Sequence, residues 1–136
     1  VNGLSRWRGL HYRSVMRLIL ASTALVASTL AAAADIPVIE KVVAKKTGMG
    51  WRFDVTLSHP DTGWDHYADG WEVVDADGNA LGYRELMHPH VTEQPFTRSL
   101  NSVVVPDGVR EVFIRAKCSV HGWGEPGVAV KLDPGG

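Results

Sequence analysis

From Asp35 onward the chain alternates apolar and polar positions with a period of two. In Trp51-Arg52-Phe53-Asp54-Val55-Thr56-Leu57 the apolar side chains Trp51, Phe53, Val55 and Leu57 share one face, the pattern of a strand with one buried side. Val112, Ile114, Ala116 and Cys118 alternate likewise against Phe113, Arg115 and Lys117, so Cys118 points with the buried set. Further strands are predicted at Val38–Lys45, Trp71–Val74, Ala80–Met87, Ser102–Val105 and Val128–Leu132. Asp75-Ala76-Asp77-Gly78-Asn79 reads as a hairpin loop and Pro106-Asp107-Gly108 as a turn, because these residues accept the backbone angles of turns at low cost. No amphipathic helix is apparent. About seven short strands predict an all-β fold, an immunoglobulin-like two-sheet antiparallel β-sandwich.

Ahead of these strands the pattern changes. Arg13 and Arg17 precede the apolar run Leu18-Ile19-Leu20 through Leu25-Val26-Ala27, and small residues follow up to Ala34. That order is a secretory signal peptide, with cleavage expected after Ala33 or Ala34. The run is too short for a membrane span, which takes about 20 apolar residues. Met16 is a candidate start, which would make residues 1–15 an upstream extension. The expected organisation is therefore residues 1–34 as extension and cleaved signal, then residues 35–136 as one domain in the periplasm or secreted.

Charge divides at the same boundary. Four of the 14 basic residues, all arginine, precede Asp35, and all 15 acidic residues lie from Asp35 onward. The mature part thus carries ten basic against fifteen acidic residues. Such a balance argues against nucleic acid or an anionic membrane surface as partner, since both select basic patches. Cys118 is the only cysteine, so no intramolecular disulfide can form. In an oxidising compartment the thiol is expected to be buried and inert, bonded to a metal, or paired with another chain.

Cys118-Ser119-Val120-His121-Gly122 places an imidazole three residues after the thiol in a segment that turns at Gly122. A thiolate and an imidazole at that spacing can reach one metal ion. His59 and His66, at the two ends of a loop, offer two more imidazoles. His88-Pro89-His90 is a second cluster, readable as a chelating or anion-flanking pair or as a polar strand end. Asp61, Asp65 and Asp69 read as solvated loop carboxylates or as partners of imidazole N–H groups. No phosphate-binding glycine loop, nucleophile elbow or His-Glu-x-x-His helix is present.

These motifs resemble the superoxide reductases and the catalytic domain of desulfoferrodoxins. The resemblance runs from Ile36-Pro37-Val38-Ile39-Glu40 through His59-Pro60, His66-Tyr67 and Trp71-Glu72-Val73 to Cys118-x-x-His121-Gly122 and Trp123. It implies a sandwich that holds one non-haem iron, with four equatorial imidazoles, an axial thiolate and an open position where superoxide is reduced to hydrogen peroxide. His59, His66 and His121 would be equatorial ligands and Cys118 the axial one. The implied partners are superoxide and an electron donor of unknown identity, with no membrane contact after signal cleavage.

The chain departs from the family pattern in three places. Asp35 stands where the family has its first ligand histidine, the upstream Glu-Lys pair is absent, and the His59-to-His66 step is one residue longer. Three imidazoles and one thiolate remain, so zinc or copper competes with iron. Asp35, His88, His90 or an amine freed by cleavage would have to supply a further ligand. The rival expectation is a non-catalytic periplasmic module for metal carriage or protein contact.

Overall fold

The computed structural model describes residues 34–133; the expected signal peptide and the possible start at Met16 lie outside the described residues. Among those residues there is no helix. Eight strands follow one another: β1 (Val38–Thr47), β2 (Gly50–Ser58), β3 (Ala68–Val74), β4 (Ala80–Glu85), β5 (Phe96–Val103), β6 (Glu111–Cys118), β7 (Gly122–Trp123) and β8 (Val128–Lys131). They form two antiparallel sheets. One has the order β1-β2-β5; the other runs β4-β3-β6, with β7 and β8 pairing successive parts of β6. The chain is thus the all-β sandwich that its alternation predicts.

The core is built from the faces that the period-two pattern selects. Trp51, Phe53, Val55 and Leu57 of β2 are buried and face Trp71 and Val73 of β3 and Val112, Ile114 and Ala116 of β6. Burying several large apolar side chains, at about 1.5–3 kcal/mol each, is the main favourable term for a domain of this size. Gly50, at the start of β2, has φ +151°, and a Cβ there would lie 2.6 Å from the Val103 carbonyl oxygen. Glycine is what lets β2 approach the end of β5 so closely.

Several strand bounds need correction: β1 runs on to Thr47 rather than ending at Lys45, and β3 starts at Ala68 rather than Trp71. β4 ends at Glu85 rather than Met87, and β8 ends at Lys131 rather than Leu132. The strand expected at Ser102–Val105 spans Phe96–Val103 instead. Its middle, Thr97-Arg98-Ser99-Leu100-Asn101, is mostly polar because β5 is an edge strand, held to β2 by backbone pairing from Leu57↔Phe96 to Trp51↔Val103. An edge strand with one open side shows little apolar alternation. β7, which has no counterpart among the expected strands, is two residues long and carries no periodic signal at all.

The antiparallel order brings three connections to one end of the sandwich. The β2–β3 loop (59–67), the β4–β5 loop (86–95) and the β6–β7 turn (119–121) all lie there. That end carries the histidines and the cysteine.

Candidate metal centre

Cys118 is the last residue of β6 and is 1% exposed, at the end of the row Val112, Ile114, Ala116. Strand phase alone puts its sulfur at the rim of the core. Cys118 pairs with Ala68 on one side and with Gly122 on the other. Between Cys118 and Gly122 the chain reverses over three residues, and Gly122 takes φ +76°, a conformation that costs glycine little. The turn aims the Val120 backbone N–H at Cys118 Sγ, 3.4 Å away, and brings His121 Nδ1 to 3.6 Å from the same sulfur.

The β2–β3 loop is tied to this turn. Ser119 N donates to the Tyr67 carbonyl at 2.9 Å and Tyr67 N donates to Ser119 Oγ at 3.1 Å. Inside the loop Thr62 N donates to the His66 carbonyl and His66 N to the Gly63 carbonyl. The two loop ends fold toward one point as a result. The rings of His59 and His66 lie 5.0 Å apart and nearly perpendicular, and those of His66 and His121 lie 5.3 Å apart.

The ligand atoms of His59, His66 and Cys118 all fall within 4.8 Å of one another. Two donors bonded at about 2.0–2.3 Å to one ion lie about 3–3.7 Å apart when adjacent and about 4.6 Å apart when opposite, so the three side chains are close enough to be drawn onto one metal. His121 is exposed and lies outside this group of three, although its Nδ1 stands 3.6 Å from Cys118 Sγ. The most telling atom is His66 Nε2, which is buried and has no hydrogen-bond partner. A buried ring nitrogen without a partner costs free energy that a metal bond would recover.

Asp61 supports the centre from behind. Its side chain is fully enclosed and accepts three hydrogen bonds: His59 Nδ1 at 2.6 Å, Ala68 N at 2.9 Å and His90 N at 2.8 Å. A carboxylate on Nδ1 fixes the ring orientation and leaves Nε2 as the nitrogen turned away from Asp61. His59 Nε2 faces the backbone carbonyl oxygen of Asp35 at 3.0 Å. Of the three aspartates only Asp61 has this role; Asp65 is exposed and Asp69 pairs with Lys117.

The other two histidines stand apart. His88 is exposed, with Nδ1 near the Pro89 carbonyl. His90 is buried and stacks on Phe96 with centroids 3.8 Å apart, while its Nε2 accepts from the Arg98 guanidinium at 2.8 Å. Neither belongs to the group of converging ligand atoms. The sequence reading also missed Gln94, which accepts from His59 N and donates to the His90 carbonyl, bracing the β2–β3 and β4–β5 loops. Its position in a polar loop offered no signal.

No family model and no solved structure matches the chain. The chain is similar to a protein of Halomicrobium mukohataei named "Putative lipoprotein", with 40% identity over 98 residues. That match takes in 72% of this chain and 48% of the relative, so the chain spans about half the length of the relative.

Proposed function

We propose that the domain is an exported mononuclear metal centre of the superoxide reductase type, with iron as its metal and superoxide as its substrate. The observation that carries the reading is the convergence of His59, His66 and Cys118 ligand atoms within 4.8 Å, one of them the buried, partnerless His66 Nε2. His121 adds a third imidazole beside the thiol. Export is supported by the leader pattern and by the name of the relative, which is that of a lipoprotein.

Each residue has a definable task. Cys118, with the Val120 N–H pointing at its sulfur, would hold the metal as thiolate and donate electron density. Asp61 holds His59 by Nδ1, so Nε2 is the nitrogen that would face an ion. Leu57, Ala68 and Ala116 are buried core residues, and Ala68 pairs directly with Cys118. Iron in such a donor set would supply one-electron chemistry for converting superoxide, with one electron and two protons, to hydrogen peroxide, the electron being replaced by a separate donor.

A second reading has its own support. Three imidazoles and one thiolate make a four-donor set suited to zinc or copper, and the Asp35 carbonyl stands against His59 where a further imidazole would be needed. On that reading the domain carries metal without catalysis. Metal analysis of protein taken from its own periplasm separates the two, followed by superoxide consumption by iron-loaded wild type and Cys118→Ser. The iron-enzyme reading expects a ferric-thiolate absorption band that appears when superoxide oxidises the ferrous protein and is bleached by an added reductant, with band and activity both lost in the variant. Equal superoxide consumption by both proteins would overturn it.

A further inference from the structure

We propose that removal of the leader between Ala34 and Asp35 completes the metal centre, because the α-amine it frees on Asp35 becomes a ligand beside His59. The inference rests on the metal-centre reading above and adds to it how the site is switched on.

The placement of Asp35 is the starting point. Its carbonyl oxygen lies 3.0 Å from His59 Nε2 and is that nitrogen's hydrogen-bond partner, while Asp61 holds Nδ1; a metal bound at Nε2 would take the place of this contact. The backbone nitrogen of Asp35 is three bonds from that oxygen. Local packing pins this stretch of backbone. Pro37 is buried, and Ile36 sits so tightly on Gly124 that a Cβ there would lie 2.2 Å from Ile36 Cγ2. Gly124 is in turn fixed by its N–H bond to the Ala116 carbonyl at 2.8 Å. Beside the segment an open cavity of about 430 Å³, lined by Asp35, Ile36, His59 and Gln94 among others, leaves room for a terminus to turn toward the ion.

The chemistry changes at the bond that export would cut. While Ala34 is attached, the Asp35 nitrogen is an amide whose lone pair is delocalised into the carbonyl, and it is not a metal ligand. A signal peptidase adds water across that bond, giving Ala34 a carboxylate and Asp35 a primary amine. The amine nitrogen and the Asp35 carbonyl oxygen can then close a five-membered chelate on one ion. Ala34 and Asp35 are both exposed, and Ala32 and Ala34 are the small residues such a peptidase reads. The site would thus gain its further ligand only after export, in the compartment where the protein acts.

The test uses the full chain exported to the periplasm of a host, with intact mass giving the mature terminus. A second version carries Gly-Ser inserted between Ala34 and Asp35, so that cleavage leaves the amine two residues too far away. Both are stripped of metal and titrated with cobalt(II), whose visible spectrum reports coordination number. The wild type is expected to begin at Asp35, to bind cobalt at least about tenfold more tightly than the insertion form, and to show an additional donor. The thiolate-to-cobalt absorption should appear in both. Equal affinity and equal spectra with that absorption present, or a mature terminus other than Asp35, would overturn the inference alone. Absence of the thiolate absorption from both forms would overturn the metal-centre reading itself. Acetylation of the wild-type α-amine at mildly acidic pH, where lysines stay protonated, gives the same comparison without changing the sequence, and guards against an insertion form that fails to fold.

Discussion

Replacing Asp61 is the sharpest test of how the site is supported. The carboxylate is fully enclosed and accepts from His59 Nδ1, Ala68 N and His90 N. Asp61→Ala leaves all three donors buried without a partner. Each orphaned group costs about 1–3 kcal/mol, and cutting one member out of a buried polar pair typically costs about 3–5 kcal/mol in all. Against a total stability on the order of 5–15 kcal/mol for a small domain, that is a large share. At about 4–8 °C per kcal/mol for a domain of this size, the midpoint of thermal unfolding should fall by roughly 12–40 °C. Asp61→Asn retains one acceptor oxygen and should lose less, about 1–3 kcal/mol. Urea unfolding of the metal-free proteins measures both, with an unchanged m-value showing that the folded states are equally compact. The Asn variant should also bind metal about 10–100-fold more weakly, since the orientation of His59 is no longer enforced. A loss below about 1 kcal/mol in Asp61→Ala would refute the claim of three stranded donors. Unchanged metal affinity in a folded Asp61→Asn would refute the role of Asp61 in aiming His59.

The remaining predictions concern the thiol, a buried imidazole and the surface charge. In the metal-loaded protein Cys118 should resist alkylation and lose that resistance when a chelator is added, because ligation requires the thiolate; a thiol that reacts only on unfolding would favour an inert buried cysteine. Burial, and then the Arg98 guanidinium and His88, hold the His90 imidazole below its ordinary value of 6.5, with Glu93 and Asp61 opposing. The unfolded chain therefore takes up this proton first, so the contribution of His90 is intact above the ordinary value and is lost as pH falls through the depressed one. His90→Gln should flatten that part of a stability-against-pH curve, and an unchanged slope would refute the assignment. Asp35, Asp65 and Glu93 are exposed near the site in an acidic domain, so superoxide consumption by the iron form should speed up with added salt as repulsion is screened; a rate that falls with salt would contradict this.

Period-two alternation determined the fold class and the direction in which Cys118 points, because in a half-buried strand the side of each residue follows from its position in the run. The turn after Cys118 was legible for a similar reason: Gly122 marks the point where the backbone enters the left-handed region. What alternation could not reach was β5, whose polar middle reflects its place at a sheet edge, and β7, whose two residues are strand only because β6 lies beside them. The distances among His59, His66 and Cys118 belong to the tertiary structure alone. They depend on Ala68 pairing with Cys118 across two strands far apart in sequence, and on the Tyr67–Ser119 bonds that lock loop to turn. The roles of Asp61, Gln94 and the Asp35 carbonyl arise in the same way. A carboxylate in a loop looks the same in sequence whether it faces water or three buried N–H groups, and only the packing of the β2–β3 and β4–β5 loops around Asp61 decides which.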